Sequence, residues 1–483
     1  MQQNYADMYS ANMDNSKDKT MVKVLVTGAS GFIGSRVVSK LLSIYFSPDL
    51  PNNKYKILCL TRNEKSLKGR YEKYHDAIEI VQADVRDYSQ LVKAINGVNI
   101  AFYLIHSMEG SSKEWKKFSQ RDRLAAQNFA KAATECGVDR IIYIGGLIHE
   151  ESREGYSKLS DHMHSRKEVG NILRTSTARV TIFRAAVILG QGGGSFQMLE
   201  YLVKRLPLMV CPKWVLTKSQ PISVDDVVEY LVRSINVKET EGRDFDIGGT
   251  EVLTYLQMME RYAKMLKKSI KIIIIPFLTP RLSSYWVDLI TPVKASLARP
   301  LIDSLKHEAT VRNETIKKII PLKLKTFEEA IKTAEKEELE QLAKTKSSGR
   351  QQRTSHSLNN KLLIVSLFAM AAIGSTYYML DARPEVFHAN WLTLSALWYL
   401  SIAFSLFFCF NGARLGAFIA GVIGWITLIF WLIDNIYTVS GKSLIATSPN
   451  LMMTLRNFIG AGIAASVVIA SHNVYHKIRV NGV

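Results

Sequence analysis

The first group of residues able to do chemistry is a glycine-rich loop near the start of the chain. Residues 27–34 read Thr-Gly-Ala-Ser-Gly-Phe-Ile-Gly, between an apolar run that predicts a buried strand and an amphipathic stretch that predicts a helix. Glycines at this spacing permit a tight turn and let backbone N–H groups approach a pyrophosphate. Because a helix N-terminus also stabilises phosphate charge, we predict a dinucleotide-binding loop. Its cofactor-binding residues are Gly28, Ser30, Gly31, Phe32, Ile33 and Gly34.

Arg62 is the residue that distinguishes NADP from NAD as the predicted cofactor. It follows the second predicted strand, where a dinucleotide-binding fold normally has an acid that holds the ribose 2′-hydroxyl. Neither Thr61 nor Arg62 is acidic. A guanidinium instead suits a 2′-phosphate through paired hydrogen bonds, so NADP is the predicted cofactor and NAD is the alternative. A solvated surface arginine is the other interpretation of Arg62, and Arg36 is a second guanidinium that could assist.

Two further strand ends carry polar side chains. Asp84, followed by Val85, ends the third predicted strand, where its carboxylate can accept a hydrogen bond from the adenine amino group or cap the next helix. Leu104, His106 and Ser107 lie where the fourth predicted strand ends, and ligands of open parallel sheets bind at this carboxyl edge. We therefore predict Asp84, Val85 and Leu104 as cofactor contacts. His106 and Ser107 are catalytic candidates near the nicotinamide, with a structural role as the alternative for His106.

The elements that position these residues alternate regularly along the chain. The predicted strands are residues 22–27, 55–60, 78–82, 99–104, 140–144 and 179–183. Helical stretches separate them, and such alternation implies right-handed crossovers and a parallel sheet. The predicted fold class is therefore α/β, with a Rossmann-type, doubly wound parallel sheet over residues 21–240. A smaller substrate lobe with a closing helix is predicted for residues 241–342, before an all-α transmembrane region.

Several short strings carry a resemblance to a known family. They are the loop TGASGFIG, the pair Asp84-Val85, and the stretches YLIHSM at 103–108, YIGGL at 143–147 and SRKEVG at 165–170. On these strings, residues 21–330 resemble the atypical, extended-type short-chain dehydrogenase/reductases, and within them the NmrA-like and YbjT-like NAD(P)-binding group, related to NAD-dependent epimerases/dehydratases. The resemblance implies a nicotinamide dinucleotide as cofactor, and it leaves out the apolar C-terminal part of the chain.

The chain departs from that family's catalytic pattern. The resemblance implies a Tyr-x-x-x-Lys on the helix after the fifth strand, in which the tyrosine moves a proton while the lysine lowers its pKa and binds the nicotinamide ribose. Here that register holds His162 and Arg166. An imidazole still transfers protons near neutral pH and Arg166 still offers donors to the ribose, but arginine does not titrate. His162, Arg166, His106 and Ser107 are the catalytic candidates, and cofactor binding without turnover is the alternative.

Charge and cysteine content narrow the class of protein. A net charge of +19 favours contact with nucleic acid or with an anionic membrane. Because no basic stripe interleaved with aromatic residues precedes the apolar C-terminal part, we predict a membrane contact and no nucleic-acid partner. The four cysteines are scattered, without metal-ligand spacing, so neither a disulfide framework nor a metal site is expected.

Long apolar runs dominate the end of the chain. Four of them approach the ~20 residues that cross a bilayer. They are residues 362–380, 391–410, 415–433 and 458–475. A basic linker at 343–361 precedes them, and a cytoplasmic tail at 476–483 follows. Basic residues fall mostly on the linker's side of the four predicted spans, which places the N-terminal domain in the cytoplasm. Residues 1–20 are polar and are predicted to be a disordered leader.

These features support three interpretations of function. The first is a membrane-anchored NADP(H)-dependent oxidoreductase acting on a carbonyl or quinone-like small molecule, including a lipid-like one that the bilayer would concentrate. The second is a binding module, either a redox sensor or a subunit of a membrane complex. The third is a nucleotide-sugar epimerase or dehydratase, which shares the fold and cofactor but requires the missing Tyr and Lys.

Overall fold

The computed structural model describes most of the chain. The described residues are 21–47, 55–106, 115–147, 161–206, 208–275, 295–348, 353–380, 389–410, 414–439 and 451–480. The predicted leader at 1–20 and the catalytic candidate Ser107 lie outside them. The described residues divide into two compact units, of which the second comprises Lys204–Leu206 and the residues from Leu339 onward, and the first comprises the rest.

A parallel sheet forms the centre of the first unit. The strands of the described residues are β1 (Val22–Thr27), β2 (Tyr55–Thr61), β3 (Ile78–Gln82), β4 (Ile100–Tyr103), β5 (Arg140–Gly146), β6 (Arg179–Ala185), β7 (Ile188–Leu189), β8 (Leu208–Pro212), β9 (Lys218–Ser219), β10 (Ile222–Ser223), β11 (Asp244–Ile247), β12 (Leu253–Thr254) and β13 (Lys271–Ile275). Seven of them form the main sheet in the order β3-β2-β1-β4-β5-β6-β11. All neighbours in it are parallel.

Fifteen helices accompany these strands within the described residues. They are α1 (Gly34–Tyr45), α2 (Lys65–Tyr71), α3 (Tyr88–Ile95), α4 (Trp115–Glu135), α5 (Asp161–Leu173), α6 (Gly194–Arg205), α7 (Val224–Arg233), α8 (Tyr255–Met265), α9 (Ala295–Ser304), α10 (Thr315–Ile319), α11 (Phe327–Ser348), α12 (Arg353–Leu380), α13 (Ala389–Phe410), α14 (Arg414–Val439) and α15 (Leu451–Val480). The ends of α11 and α12 extend into the predicted linker at 343–361. Its Ala, Lys, Gln and Arg residues are good helix formers.

Helices cover both faces of the main sheet because its strands bury side chains on both sides. Val24 and Phe102 belong to one core cluster, while Leu25 and Tyr103, their neighbours in the chain, belong to the other. Successive strand residues point to opposite faces, so a strand buried on both sides reads as a continuous apolar run. The predicted α/β fold with a doubly wound parallel sheet is confirmed.

The main sheet contains one strand that the sequence pattern did not place there. The six predicted strands correspond to β1 through β6. The seventh, β11, pairs with β6 in register Asp244↔Ile182, beyond residue 240, the predicted end of the Rossmann-type domain. It has only four residues, and two are aspartates, so its apolar signal is weak.

The second unit consists of long apolar helices. Within the described residues, three segments are long and apolar enough to cross a membrane: Asn390–Phe410, Leu415–Ile436 and Thr454–Tyr475. The apolar part of α12, Asn360–Thr376, is shorter, and Lys361 lies near its start. The prediction of four spans is therefore wrong, and three helices meet the requirement.

A buried polar pair joins two of these helices. Asp434 on α14 is fully buried, and its Oδ2 accepts a hydrogen bond of 2.6 Å from Nδ2 of Asn457 on α15. Close backbone packing accompanies the pair, since a Cβ on Gly460 would lie 2.7 Å from the ring of Trp431. Asp434 therefore faces its neighbouring helix.

Arg140 provides a test of how the first unit is held together. Its side chain is 2% exposed and donates hydrogen bonds to Ile235 O at 3.2 Å, Thr181 Oγ1 at 3.1 Å and Thr240 Oγ1 at 2.5 Å. Arg140→Met should lower the free energy of unfolding by about 1–3 kcal/mol, because these acceptors lose their buried donor. A fall in the Tm of the purified protein, followed by circular dichroism, would show this.

Arg243→Met is the matched control for that substitution. Arg243 is exposed, so its replacement should change the free energy of unfolding by less than about 0.5 kcal/mol. Equal Tm values for the two variants would contradict the role assigned to Arg140.

Candidate functional site

At two positions of the glycine loop, the backbone geometry permits only glycine. Gly28 has φ of +67°, and a Cβ there would lie 2.9 Å from Leu104 O. A Cβ on Gly34 would lie 2.1 Å from Gly28 O, so α1 starts in direct contact with the turn. Gly31 N donates to Gly28 O at 2.9 Å and closes the turn. The loop and the helix N-terminus therefore form a compact cradle, the kind of backbone arrangement that binds phosphate groups.

Thr27 connects this cradle to the end of β4. Its Oγ1 donates to Phe102 O at 3.0 Å and accepts a hydrogen bond of 2.9 Å from Leu104 N. Leu104 is partly buried against the core. The turn after β1 and the residues after β4 thus lie side by side, at the point where the strand order reverses and ligands of doubly wound sheets bind.

Phe32 and Arg36 hold the cradle against a second glycine-rich loop, residues 190–194. A Cβ on Gly193 would lie 2.7 Å from the Phe32 ring, and the Arg36 guanidinium lies 4.9 Å from the centre of that ring. Arg36 also donates to Phe32 O at 3.0 Å and Gln191 O at 2.9 Å and forms an ion pair with Glu337. These contacts occupy the Arg36 guanidinium. The expectation that Arg36 assists in binding a 2′-phosphate is therefore not supported.

Arg62 and Asp84 lie at the ends of neighbouring strands β2 and β3. Arg62 is exposed, and its guanidinium has no hydrogen-bond or ion-pair partner among the described residues. Asp84 binds Arg86, with 2.6 Å between Oδ2 and the terminal guanidinium nitrogen, and this contact lowers the pKa of the Asp84 carboxyl. Asp87, not Asp84, caps α3 through Gln90 N, so the capping alternative for Asp84 is wrong.

His106 and His162 meet beyond the carboxyl end of β4. Their ring centres are 5.0 Å apart, although 56 positions separate them in the sequence. His106 Nδ1 lies 2.9 Å from Oδ2 of Asp122 on α4, and both side chains are almost entirely buried. The carboxylate favours the tautomer in which Nδ1 carries the proton, which leaves Nε2 of His106 as an acceptor. Nε2 is buried and has no partner among the described residues.

Burial keeps both imidazoles neutral. It lowers the pKa of His106, with a further lowering from Arg166, while the Asp122 contact acts in the opposite direction. The pKa of His162 is lowered further, first by burial and then by His106 and Arg166. Arg166 lies on the same helix as His162, and its guanidinium is 5.7 Å from the centre of the Tyr143 ring. The site therefore contains two neutral imidazoles, a carboxylate and a guanidinium.

Comparison with known families identifies the chain's relatives. The model of the NmrA-like family matches residues 20–329 of the 483. The chain belongs to the NmrA-like family. The predicted resemblance is confirmed, and α12 to α15 lie outside the matched residues.

Two curated relatives are similar in sequence. The auxiliary protein GraX of Staphylococcus aureus is 30% identical over 135 residues, which are 26% of this chain and 38% of that protein. The photosystem II assembly factor Ycf39 of Cyanophora paradoxa is 23% identical over 260 residues, 53% of this chain and 72% of that protein. The chain therefore spans well under half the length of GraX and about three-quarters of Ycf39.

Two solved structures share the fold of the NmrA-like part. A triphenylmethane reductase from Citrobacter sp., complexed with NADP(H), superposes with a TM-score of 0.50 at 18% identity over 65% of this chain and 99% of the reductase. An epimerase from Methanothermobacter thermautotrophicus does so with a TM-score of 0.50 at 14% identity, over 68% of this chain and 96% of the epimerase. Identities this low establish the fold alone.

Asp122 is the site residue that the sequence interpretation missed. It lies on α4 with the buried residues Ala125, Ala126 and Phe129, at the spacing of one apolar helix face. A carboxylate on such a stripe must be paired or bound by hydrogen bonds, and this could have marked Asp122 as functional. Its partner could not be deduced, because His106 precedes it by 16 positions across a segment without periodicity.

Acid should destabilise the first unit through the histidine pair. The unfolded chain protonates its histidines near pH 6.5, whereas burial lowers the pKa of His106 and His162 in the folded chain. The unfolded state therefore binds more protons as the pH falls. The stability due to the neutral rings is fully present above the unfolded pKa and is lost as the pH falls toward the folded values. The Tm should decrease between about pH 7.5 and pH 5.5.

His162→Gln should reduce the slope of Tm against pH over that range, because glutamine does not titrate. His75→Gln is the control, since the His75 side chain is 79% exposed and should leave the slope unchanged. The same slope in wild type and His162→Gln would show that this histidine contributes nothing to acid sensitivity.

Proposed function

We propose that this NmrA-like protein is a membrane-attached reductase that binds NADP(H) and reduces a carbonyl or quinone-like substrate. The observation that carries the proposal is the contact of His106 with Asp122, beside His162 and next to the glycine cradle. A proton-transferring group and a dinucleotide loop at one edge of a sheet are what hydride transfer to a carbonyl requires.

The residues of the first unit fit a dinucleotide. Gly28, Gly31 and Gly34 leave space that any Cβ would fill, and the first turn of α1 contains no acidic residue that would repel a phosphate. Arg62 supports NADP over NAD, because its guanidinium has no competing partner among the described residues. The related triphenylmethane reductase is complexed with NADP(H). When bound, the cofactor supplies the hydride.

The chain's own residues would supply the proton. For reduction, Nε2 of His106 would first take up a proton from solvent, with the Asp122 carboxylate stabilising the imidazolium, and would then donate that proton to the substrate oxygen as the substrate is reduced. His162 lies close enough to exchange a proton with His106, by direct transfer or through one water. Arg166 occupies the family's lysine position and would bind the nicotinamide ribose. This arrangement replaces the tyrosine and lysine of the family with an oriented pair of histidines.

The three apolar helices support attachment to a membrane. Because an odd number of spans puts the two ends of the region on opposite sides, the orientation depends on the basic residues before α13. Lys344, Lys346, Arg350, Arg353 and Lys361 lie before or near the start of the apolar part of α12 with no acid among residues 344–361, and Asp381, Arg383 and Glu385 follow α12 before α13. We propose that this side, with the NmrA-like unit, is cytoplasmic.

Cofactor binding without turnover is the second candidate function. The observation that favours it is the occupation of the Tyr and Lys positions by His162 and Arg166. Such a module would sense redox state or act as a subunit of a membrane complex. The same substitutions weigh against a nucleotide-sugar epimerase or dehydratase, although an epimerase shares the fold.

Arg62→Ala should weaken NADPH binding and leave NADH binding unchanged. Hydrogen bonds to a charged group contribute about 1.5–3 kcal/mol, so the Kd for NADPH should rise roughly 10- to 150-fold. Fluorescence titration of the purified protein with each nucleotide measures this. Lys68→Ala, which removes a nearby exposed cation, is the control. Equal losses for NADPH and NADH would reject a contact with the 2′-phosphate.

Asp122→Asn should lower kcat for NADPH oxidation by about 100-fold, in the range of general acid-base effects, without changing the Kd for NADPH. Stopped-flow absorbance with a panel of quinones, aldehydes and enones measures turnover. Asp76→Asn removes a largely exposed carboxylate and should have no effect. If the protein binds NADPH but oxidises it with none of these acceptors, the reductase is rejected and the binding module remains.

A further inference from the structure

The second unit contains a cavity among its apolar helices. Its volume is about 450 Å³, and it is lined by residues of α12, α13 and α14, within the ~300–1,000 Å³ typical of small-molecule sites. Five of the lining residues are aromatic, and the described residues that line it include no charged side chain. They are Trp391, Trp398, Tyr399, Phe430 and Trp431. The cavity therefore suits a flat apolar molecule.

Hydrogen bonds within the wall fix the aromatic rings. Trp398 Nε1 donates to Thr427 Oγ1 at 2.8 Å, and the Tyr399 hydroxyl lies 2.9 Å from the Ser375 hydroxyl. A Cβ on Gly374 would lie 2.6 Å from the Trp398 ring, so this glycine allows the indole to pack against α12. The indole of Trp398 and the phenol of Tyr399 are therefore held in place in the cavity wall.

Two hydroxyls on this wall retain donor capacity. Thr427 accepts the bond from Trp398, so its own proton remains available to donate. Ser395 also lines the cavity, and its hydroxyl has no hydrogen-bond partner among the described residues. An apolar ring that carries carbonyl oxygens would satisfy both donors, whereas a saturated acyl chain would satisfy neither.

We propose that this cavity binds the ring of a lipid-soluble quinone. An electron-poor quinone ring stacks on electron-rich indole and phenol faces in offset or edge-on geometry, and its carbonyls accept hydrogen bonds from Ser395 and Thr427. Its isoprenoid tail would lie along the apolar surface of α13, where Leu394, Leu397 and Leu400 are exposed. The inference rests on the proposed reductase function for its substrate class, and it assigns that class a binding site in the second unit, not the site of reduction, since no described residue of the first unit lines the cavity.

Quinone binding is measured on the full-length protein in nanodiscs, without NADPH. Three tryptophans line the cavity, and quinones quench indole fluorescence at close range, so titration with decylubiquinone should give saturable quenching. Ser395→Leu places a branched side chain in the cavity and should weaken binding at least about tenfold. Ser395→Ala removes one donor and should weaken it about fivefold.

Ala396→Leu is the matched control for bulk, because Ala396 is the next residue on α13 and is exposed. It should leave the Kd unchanged. Trp425→Phe removes an indole that is 55% exposed on α14 and should leave the saturable component unchanged. Quenching that does not saturate, or that is equal in Ser395→Leu and Ala396→Leu, would overturn the proposal.

Competition separates a quinone from a lipid chain. Decanol should displace bound decylubiquinone weakly, since it lacks both the ring and the carbonyls. Displacement of decylubiquinone by an equal concentration of decanol would show an acyl-chain site and overturn the proposal.

NADPH oxidation with a water-soluble benzoquinone tests the reductase separately. If oxidation proceeds while decylubiquinone fails to bind, only the cavity assignment fails. If oxidation is absent while decylubiquinone binds, only the reductase fails.

Discussion

The contact between Gly34 and the carbonyl of Gly28 determines the arrangement of the first unit's site. With no Cβ in the way, α1 begins directly on the turn after β1, and its N-terminal dipole points at the cradle. Thr27 then ties that turn to the end of β4, and His106 follows this strand in the chain. A single larger side chain at Gly34 would separate the helix from the turn, so the phosphate cradle and the spacing to the histidines depend on one close backbone approach.

The histidine pair shows how a buried site can differ from its family without losing proton-transferring groups. A tyrosine and lysine depend on a positive charge to lower a phenol pKa. Here a carboxylate orients one neutral ring, and burial keeps its neighbour neutral. Arg166 adds positive charge but cannot exchange protons. The proposed chemistry therefore relies on hydrogen-bond orientation and on shifts of two imidazole pKa values.

Local patterns in the sequence were enough for most of the fold. Apolar strands alternating with helices predicted β1 through β6, and the loop glycines predicted the cradle, because both depend on neighbouring residues. The Asp122 contact and the place of β11 depend on residues far apart in the chain, which no local period records. The apolar run of α12 was read as a span, although Asn360–Thr376 is short. Arg36 was considered as a possible aid to cofactor binding, but its guanidinium binds Glu337, 301 positions away.

The pair of Asp434 and Asn457 has a consequence for the second unit in lipid. A carboxylate within an apolar helix is unfavourable in lipid by roughly 2.5–3.5 kcal/mol at the bilayer centre, and Asp434 lies close to the end of its apolar segment. Its hydrogen-bond partner is on the helix synthesised next. Packing of α15 against α14 therefore supplies the acid with a hydrogen-bond partner from the protein, so that its oxygen does not face lipid unpaired.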